Sequence, residues 1–256
     1  HEVSQEIKSY DCNYEFQMQG RKKIEKTFPS LQNISFINFD LLTEKINLQP
    51  ESYLVGLHLC GELSLKFYEQ ISHKNFSGMI QLGCCYNRLS SNQTNISEFA
   101  KKDPFPFNQY ALTLATRSDW GISWSDFLFK HQVKSYRYAL GLFLYHELDL
   151  KEFIPVGVGP SQIYKSQFGI YARQKLTELG WNIQASQLQL FFETPKIQKE
   201  IKRMFICNII RWRFSRPLEI LINLDRLFFL QEKGLEAEIY ELFNPLISPR
   251  NICLKV

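Results

Sequence analysis

Two short apolar runs stop abruptly in polar, reactive side chains. One is Tyr53-Leu-Val-Gly-Leu-His58, continued by Leu-Cys-Gly-Glu-Leu-Ser64; the other is Met79-Ile-Gln-Leu-Gly-Cys-Cys-Tyr86. Leu63 to Ser72, between them, has helical spacing. Run, helix and run predict adjacent parallel strands of an α/β sheet, Tyr53–His58 and Gly78–Gly83, joined by a helix over Glu62–Ile71. That puts His58, Cys60, Cys84, Cys85 and Tyr86 at carboxyl ends of strands, where open α/β sheets bind ligands.

The same patterning extends both ways. Ile7–Asp11 and Ile34–Asp40 read as strands, each ending in an acid. Tyr14–Thr27 reads as a helix stopped by Pro29 and Ser30. Leu89–Phe107 is polar, carries two prolines and is expected to be a loop. From about Tyr110 to Phe192 the chain reads as helical, with loops at Pro155–Ser161 and Gly180–Ala185. Lys196–Arg213 predicts another helix, and Leu218–Lys233 one more, with Pro217 in its first turn and Gly234 beyond its end. Glu236–Phe243 and Asn251–Val256 read as strands. The short turn between them makes them antiparallel neighbours. The order is β-α-β-β-α-β, a helical insertion, a helix and a hairpin. It predicts a core at 1–90, a helical insertion and substrate region at 91–216, and a completion of the core at 217–256. The chain opens on His1, and His1–Ile7 reads as the tail of an element, so an N-terminal part is expected upstream.

Composition narrows this little. With 256 residues, 45% hydrophobic and 22% charged, the chain can build a sizeable core. A net charge of +4 does not by itself imply nucleic acid. Six cysteines, two of them adjacent, in so long a chain read as reduced thiols of an intracellular, cytoplasmic protein. No apolar run is long enough for a membrane span, and no signal peptide opens the chain.

A mostly parallel sheet closed by an antiparallel C-terminal hairpin is the shape of Rossmann-like, S-adenosylmethionine-dependent methyltransferases. Val55-Gly-Leu-His-Leu-Cys-Gly-Glu-Leu-Ser64 and Gly83-Cys-Cys-Tyr86 resemble the methyltransferase-like proteins that include the rRNA-adenine-methyltransferase-related branch. Leu224-Asp-Arg-Leu-Phe-Phe-Leu-Gln-Glu-Lys-Gly234 and Leu246-Ile-Ser-Pro-Arg-Asn251 look like the same family's ending. Tyr136-Arg-Tyr-Ala139 matches more loosely. The resemblance implies a class I methyltransferase fold with a helical insertion, and S-adenosylmethionine as cofactor. The family's first strand and glycine-rich loop would then precede His1.

Site expectations follow. Asp11 would accept from ribose hydroxyls, with Cys12 lining the same pocket; the bland alternative is a turn aspartate. Asp40 would accept from the adenine amino group, with Leu41 flanking the ring; the bland alternative is again a turn. His58, Cys60 and Gly61 stand where many amino methyltransferases carry an Asn/Asp-Pro-Pro-aromatic motif, which this chain lacks. His58 is suited to proton transfer, and Gly61 to close approach of backbone to ligand. Alternation along a strand would let at most one of Cys84 and Cys85 face the site if the strand is still extended there. Cys85 and Tyr86 are the substrate-side candidates, with Tyr86 also placed as catalytic. His58, Cys60, Cys84 and Cys85 also make a tetrahedral zinc set. Their spacing is not that of a zinc ribbon and no Cys-x-x-Cys occurs, so no metal is expected. Residues 196–216 hold seven basic residues against one acid. Arg211 and Arg213, interleaved with Trp212 and Phe214, suit contact with RNA; Ile197, Ile201, Phe205 and Ile209 make an ordinary core stripe. Asp225-Arg226 and Arg250 read as architectural.

The expected function is S-adenosylmethionine-dependent methyl transfer, with RNA or a protein side chain as acceptor. A non-catalytic binding module with the same fold is the competing class. A Rossmann oxidoreductase is a third option, but it does not usually end in an antiparallel hairpin.

Overall fold

A computed structural model describes residues 6–72, 75–117, 122–152, 154 and 157–256. Residues 1–5 of the expected tail, 155–156 of the expected loop, and 118–121 and 153 of the expected helical stretch lie outside the described residues. The chain forms two compact units. One holds residues up to Thr116 and from Pro217 onward; the other is Arg117–Arg216.

The first unit opens with β1 (Ile7–Asp11), α1 (Tyr14–Thr27) and β2 (Ile34–Asn38), the two strands pairing in parallel from Ile7↔Ile34 to Asp11↔Asn38. Then come β3 (Tyr53–Leu57), α2 (Glu62–Ile71) and β4 (Gly78–Leu82). β3 and β4 are parallel neighbours, Tyr53↔Gly78 through Leu57↔Leu82. The strands expected at Ile34–Asp40, Tyr53–His58 and Gly78–Gly83 each stop one or two residues early. Asp40 is already in a turn, its N–H donating to Glu44 Oε1 at 2.8 Å. His58 takes φ +56°, which no strand accommodates.

A 3₁₀ turn (Tyr86–Arg88), a second (Ser91–Gln93), α3 (Glu98–Lys102) and α4 (Gln109–Ala115) follow. The segment 89–107, expected to be loop, is therefore partly helical. Ser97 Oγ caps α3 by accepting from Ala100 N. The carboxylate of Asp225 accepts from Ile96 N, Ser97 N and Ser97 Oγ. Those bonds tie Ile96 and Ser97 to Asp225, and the compact unit that holds both runs to Thr116.

The second unit contains α5 (Trp124–Glu147), a 3₁₀ turn (Ser161–Lys165), α6 (Phe168–Glu178), α7 (Ala185–Glu193) and α8 (Pro195–Trp212). Its core gathers Ala139, Leu140, Phe143, Tyr171, Leu176 and Leu188, with Ile197 and Ile201 from α8.

The helix α9 (Ser215–Glu232) leads back to the first unit, with Pro217 in its first turn and Gly234 at φ +80° beyond its end. β5 (Glu238–Glu241) and β6 (Ile252–Lys255) are antiparallel, and β6 also runs antiparallel to β4. The second sheet has the order β3-β4-β6-β5. Two parallel pairs, helices and an antiparallel end make a mixed α/β unit compatible with a Rossmann-like fold. The core on one face joins Phe67, Tyr68 and Ile71 of α2 to Met79, Leu230 and Leu254. The other face of β3 is open: Tyr53, Val55 and Leu57 are 50%, 62% and 61% exposed. Neither β1 nor β3 has a second strand neighbour among the described residues. No helix of the described residues is long and apolar enough to cross a membrane.

Candidate functional site

Parallel pairing brings two carboxyl ends together at each strand pair, and side chains cluster at both. At the end of β3 and β4, the chain leaves β3 through left-handed His58 and then Gly61. It leaves β4 through Gly83, Cys84 and Cys85. Cys84 Sγ lies 3.1 Å from Cys60 Sγ, 3.3 Å from Cys85 Sγ and 3.3 Å from His58 Nδ1. The three sulfurs fall within 4.8 Å of one another. Strand alternation would have allowed only one of the adjacent cysteines to face this point. Both do, because β4 ends at Leu82 and the backbone has left the extended form by Cys85 (φ −91°, ψ 62°).

The thiols differ electrostatically. Burial pushes Cys60 up, and burial with the surrounding thiols pushes Cys84 far up. Burial also raises Cys85, but hydrogen bonds with Cys60 and Cys84 and the charges of Arg88 and Arg250 outweigh it, leaving that thiol low.

Gly61 is glycine for a local reason. With φ +59°, a Cβ there would come within 2.9 Å of both Cβ and O of Arg88. The close approach expected toward a ligand is thus made toward Arg88. Tyr86 turns inward and is 6% exposed; its hydroxyl accepts from Asn223 Nδ2 at 2.9 Å. Its ring is packed with Leu65, Leu89 and Ile222 and is not open for stacking on a base. The cavity between these groups, lined among others by Gly61, Gln81, Cys84, Tyr86 and Asn223, is about 10 Å³. That is the space of about one water, so a larger ligand would have to sit outside it.

At the other pair, Asp11 Oδ1 accepts from Asn13 N at 2.7 Å, and Asp40 Oδ1 accepts from Leu42 N at 3.0 Å. Both are turn bonds. Each uses one of several lone-pair positions and leaves the carboxylates able to accept more. Asn38 Nδ2 donates to the carbonyls of Asp11 and Cys12, holding the two strand ends together. The Cys12 thiol is exposed. Leu41 is buried in the core beside α2 rather than open to flank a ring. Gln70 of α2 fixes this loop by donating to the carbonyls of Leu41 and Glu44 and accepting from Ile46 N. Among the described residues no hydrogen bond or ring contact links Asp11 or Asp40 to His58 or Tyr86.

Arg211 and Arg213 are exposed in the second unit. Phe214 is exposed too, whereas Trp212 meets Phe205 edge-on at 6.1 Å. In α8 the buried stripe is Ile197, Ile201, Phe205 and Asn208, with Ile209 at its margin.

Two contributors escaped the sequence reading. Arg88 lies against Gly61 and beside Cys85; its position two residues after Tyr86, on the same turn, was the available signal. Asn223 holds Tyr86 from 137 positions away, and no local pattern announces it. Arg250, read as architectural, donates to the Ala115 carbonyl and pairs with Glu219 at 3.1 Å.

Over 236 residues the chain is 26% identical to a human protein, "Probable methyltransferase-like protein 25" (Homo sapiens). The match covers 84% of this chain and 38% of that relative, so the chain spans well under half of its length. The likeness is to a methyltransferase-like protein and does not reach the narrower rRNA-adenine-related branch. No family model matches the chain, and no solved structure matches it.

Proposed function

We propose that this chain forms part of an S-adenosylmethionine-dependent methyltransferase acting on RNA. The observation that carries this is the likeness of 84% of the chain to a protein named for methyl transfer. The strand order supports it. Among the described residues β1 and β3 each have an edge without a strand neighbour, and one face of β3 is apolar and open. On this reading a further parallel strand lies between them and makes the two sheets one.

Two acceptor carboxylates support a nucleoside site. Asp11 and Asp40 end or follow neighbouring parallel strands, and each carboxylate retains capacity to accept from hydroxyl or amino groups. S-adenosylmethionine, when bound, supplies an electrophilic methyl group. The protein's work is then to align donor with acceptor and exclude water. Asp11 and Asp40 hold the nucleoside, and His58 with the cysteine cluster borders the reacting end. Arg211 and Arg213, exposed beside Phe214, supply phosphate contact and stacking for RNA.

A second reading, a binding module without catalysis, is favoured by one observation: Tyr86, the aromatic candidate at the site, is buried. Incubation of the whole protein with a methyl-labelled donor and cellular RNA separates the two. Label in RNA that depends on Asp11 and Asp40 supports transfer. RNA binding with no label in RNA or protein supports the module.

A further inference from the structure

The cluster at the ends of β3 and β4 has a chemistry of its own, whatever the chain does with methyl groups. Three thiols and an imidazole come from two segments separated by a helix. Three sulfurs lie within 4.8 Å of one another, and His58 Nδ1 lies 3.3 Å from the central one, Cys84. A zinc ion about 2.3 Å from each sulfur in a tetrahedral site sets sulfurs roughly 3.8 Å apart and takes an imidazole nitrogen at about 2.0 Å. The three sulfurs already stand close to that arrangement; the His58 ring, near Cys84 but not among the ligand atoms that all lie within 4.8 Å of one another, has to turn inward to complete it.

We infer that Cys60, Cys84 and Cys85, with His58 as fourth ligand, form a zinc-binding site joining the carboxyl ends of β3 and β4. Four observations favour a metal over packing or a disulfide. The thiols are half-buried rather than sealed in the apolar core, so an ion can reach them. A disulfide uses two sulfurs and leaves the third unexplained, whereas three sulfurs and a nitrogen complete a four-coordinate set. His58 holds a left-handed backbone conformation, which is strained for a non-glycine residue; strain of this kind collects at ligand-binding positions. Finally, three thiolates and a dication carry one net negative charge, and Arg88, on the turn that follows Cys85, stands beside it to offset that charge. Binding releases the thiol protons to solvent and involves no change of oxidation state.

The site takes His58 out of proton transfer and makes it structural. It does not depend on methyl transfer, because metal content is read directly.

The test is the metal content of chain 1–256, purified with reductant and dialysed against zinc-free buffer. About one zinc per chain is expected, released in step with modification of three thiols by a mercurial reagent. Cys60→Ser and Cys84→Ser lower the content to background, while Cys12→Ser and Cys207→Ser, at exposed positions elsewhere, retain it. Should the ligand variants not fold, titration of the unmodified chain with cobalt gives an independent reading. Intense sulfur-to-cobalt charge-transfer absorption, lost on adding zinc, supports the site. Overturning results are metal at background in the reduced chain with no such absorption, or undiminished zinc in folded Cys60→Ser and Cys84→Ser.

Discussion

The sulfur of Cys60 lies 3.1 Å from that of Cys84, although 24 positions and the whole of α2 separate the two residues. Their proximity follows from parallel pairing of β3 with β4, which delivers both chain exits to the same end. Residues so placed do not act independently. Cys60→Ala and Cys84→Ala should be non-additive by about 0.5–3 kcal/mol in urea unfolding under reducing conditions. Additivity would mean that the two thiols do not share a structure.

Gly61→Ala should destabilise the protein by about 1–3 kcal/mol, from the left-handed conformation and the contact with Arg88. Arg88→Gly should not restore stability. It removes the Cβ at 2.9 Å but leaves the carbonyl oxygen at the same distance. Chemical denaturation of the single and double variants checks this.

Asp225 and Arg226 are both buried, and the Asp225 carboxylate serves Arg226 as well as the amides of Ile96 and Ser97. Removing the acid leaves a buried cation without its counter-charge, held by the carbonyls of Thr94 at 2.7 Å and Gln93 at 3.1 Å. Asp225→Ala should therefore cost about 3–5 kcal/mol. The double variant Asp225→Ala with Arg226→Leu should cost less than the Asp225 change alone, as thermal unfolding would reveal.

Burial, and the neighbouring charges of Arg137, Arg117 and Arg211, push Lys134 down to about 8. A lysine lowered on folding destabilises the fold in its charged form. The penalty is complete below pH of about 8 and is relieved as pH rises toward the unfolded value near 10.5. Stability should rise across that window, and Lys134→Met should raise stability at pH 7 and flatten the rise. Urea midpoints at pH 7 and pH 10 measure both effects.

Much of the first unit was legible because its strands are short apolar runs between polar stops, and α2 sits between two of them. The strand ends were read long because nothing local shows that His58 turns left-handed or that Asp40 N–H is taken by Glu44. The helix α3 was missed because its anchor, Asp225, lies 128 positions away from Ser97. Tyr86 was read as a site residue because an aromatic after two cysteines looks the same whether it points out or in. Its direction is set by Asn223 and the core around Ile222. Alternation limits Cys84 and Cys85 to one site-facing side chain only while the strand stays extended, and β4 ends at Leu82, so both face the cluster. His58, Cys60 and the cysteine pair were nonetheless identified as one group from their position after two apolar runs.

Calorimetric titration of the whole protein with S-adenosylmethionine tests the central claim most directly. Saturable binding at one site, weakened at least about tenfold, or about 1.4 kcal/mol, by Asp11→Ala and by Asp40→Ala, is the predicted result. Absence of binding, or binding indifferent to both substitutions, would contradict it.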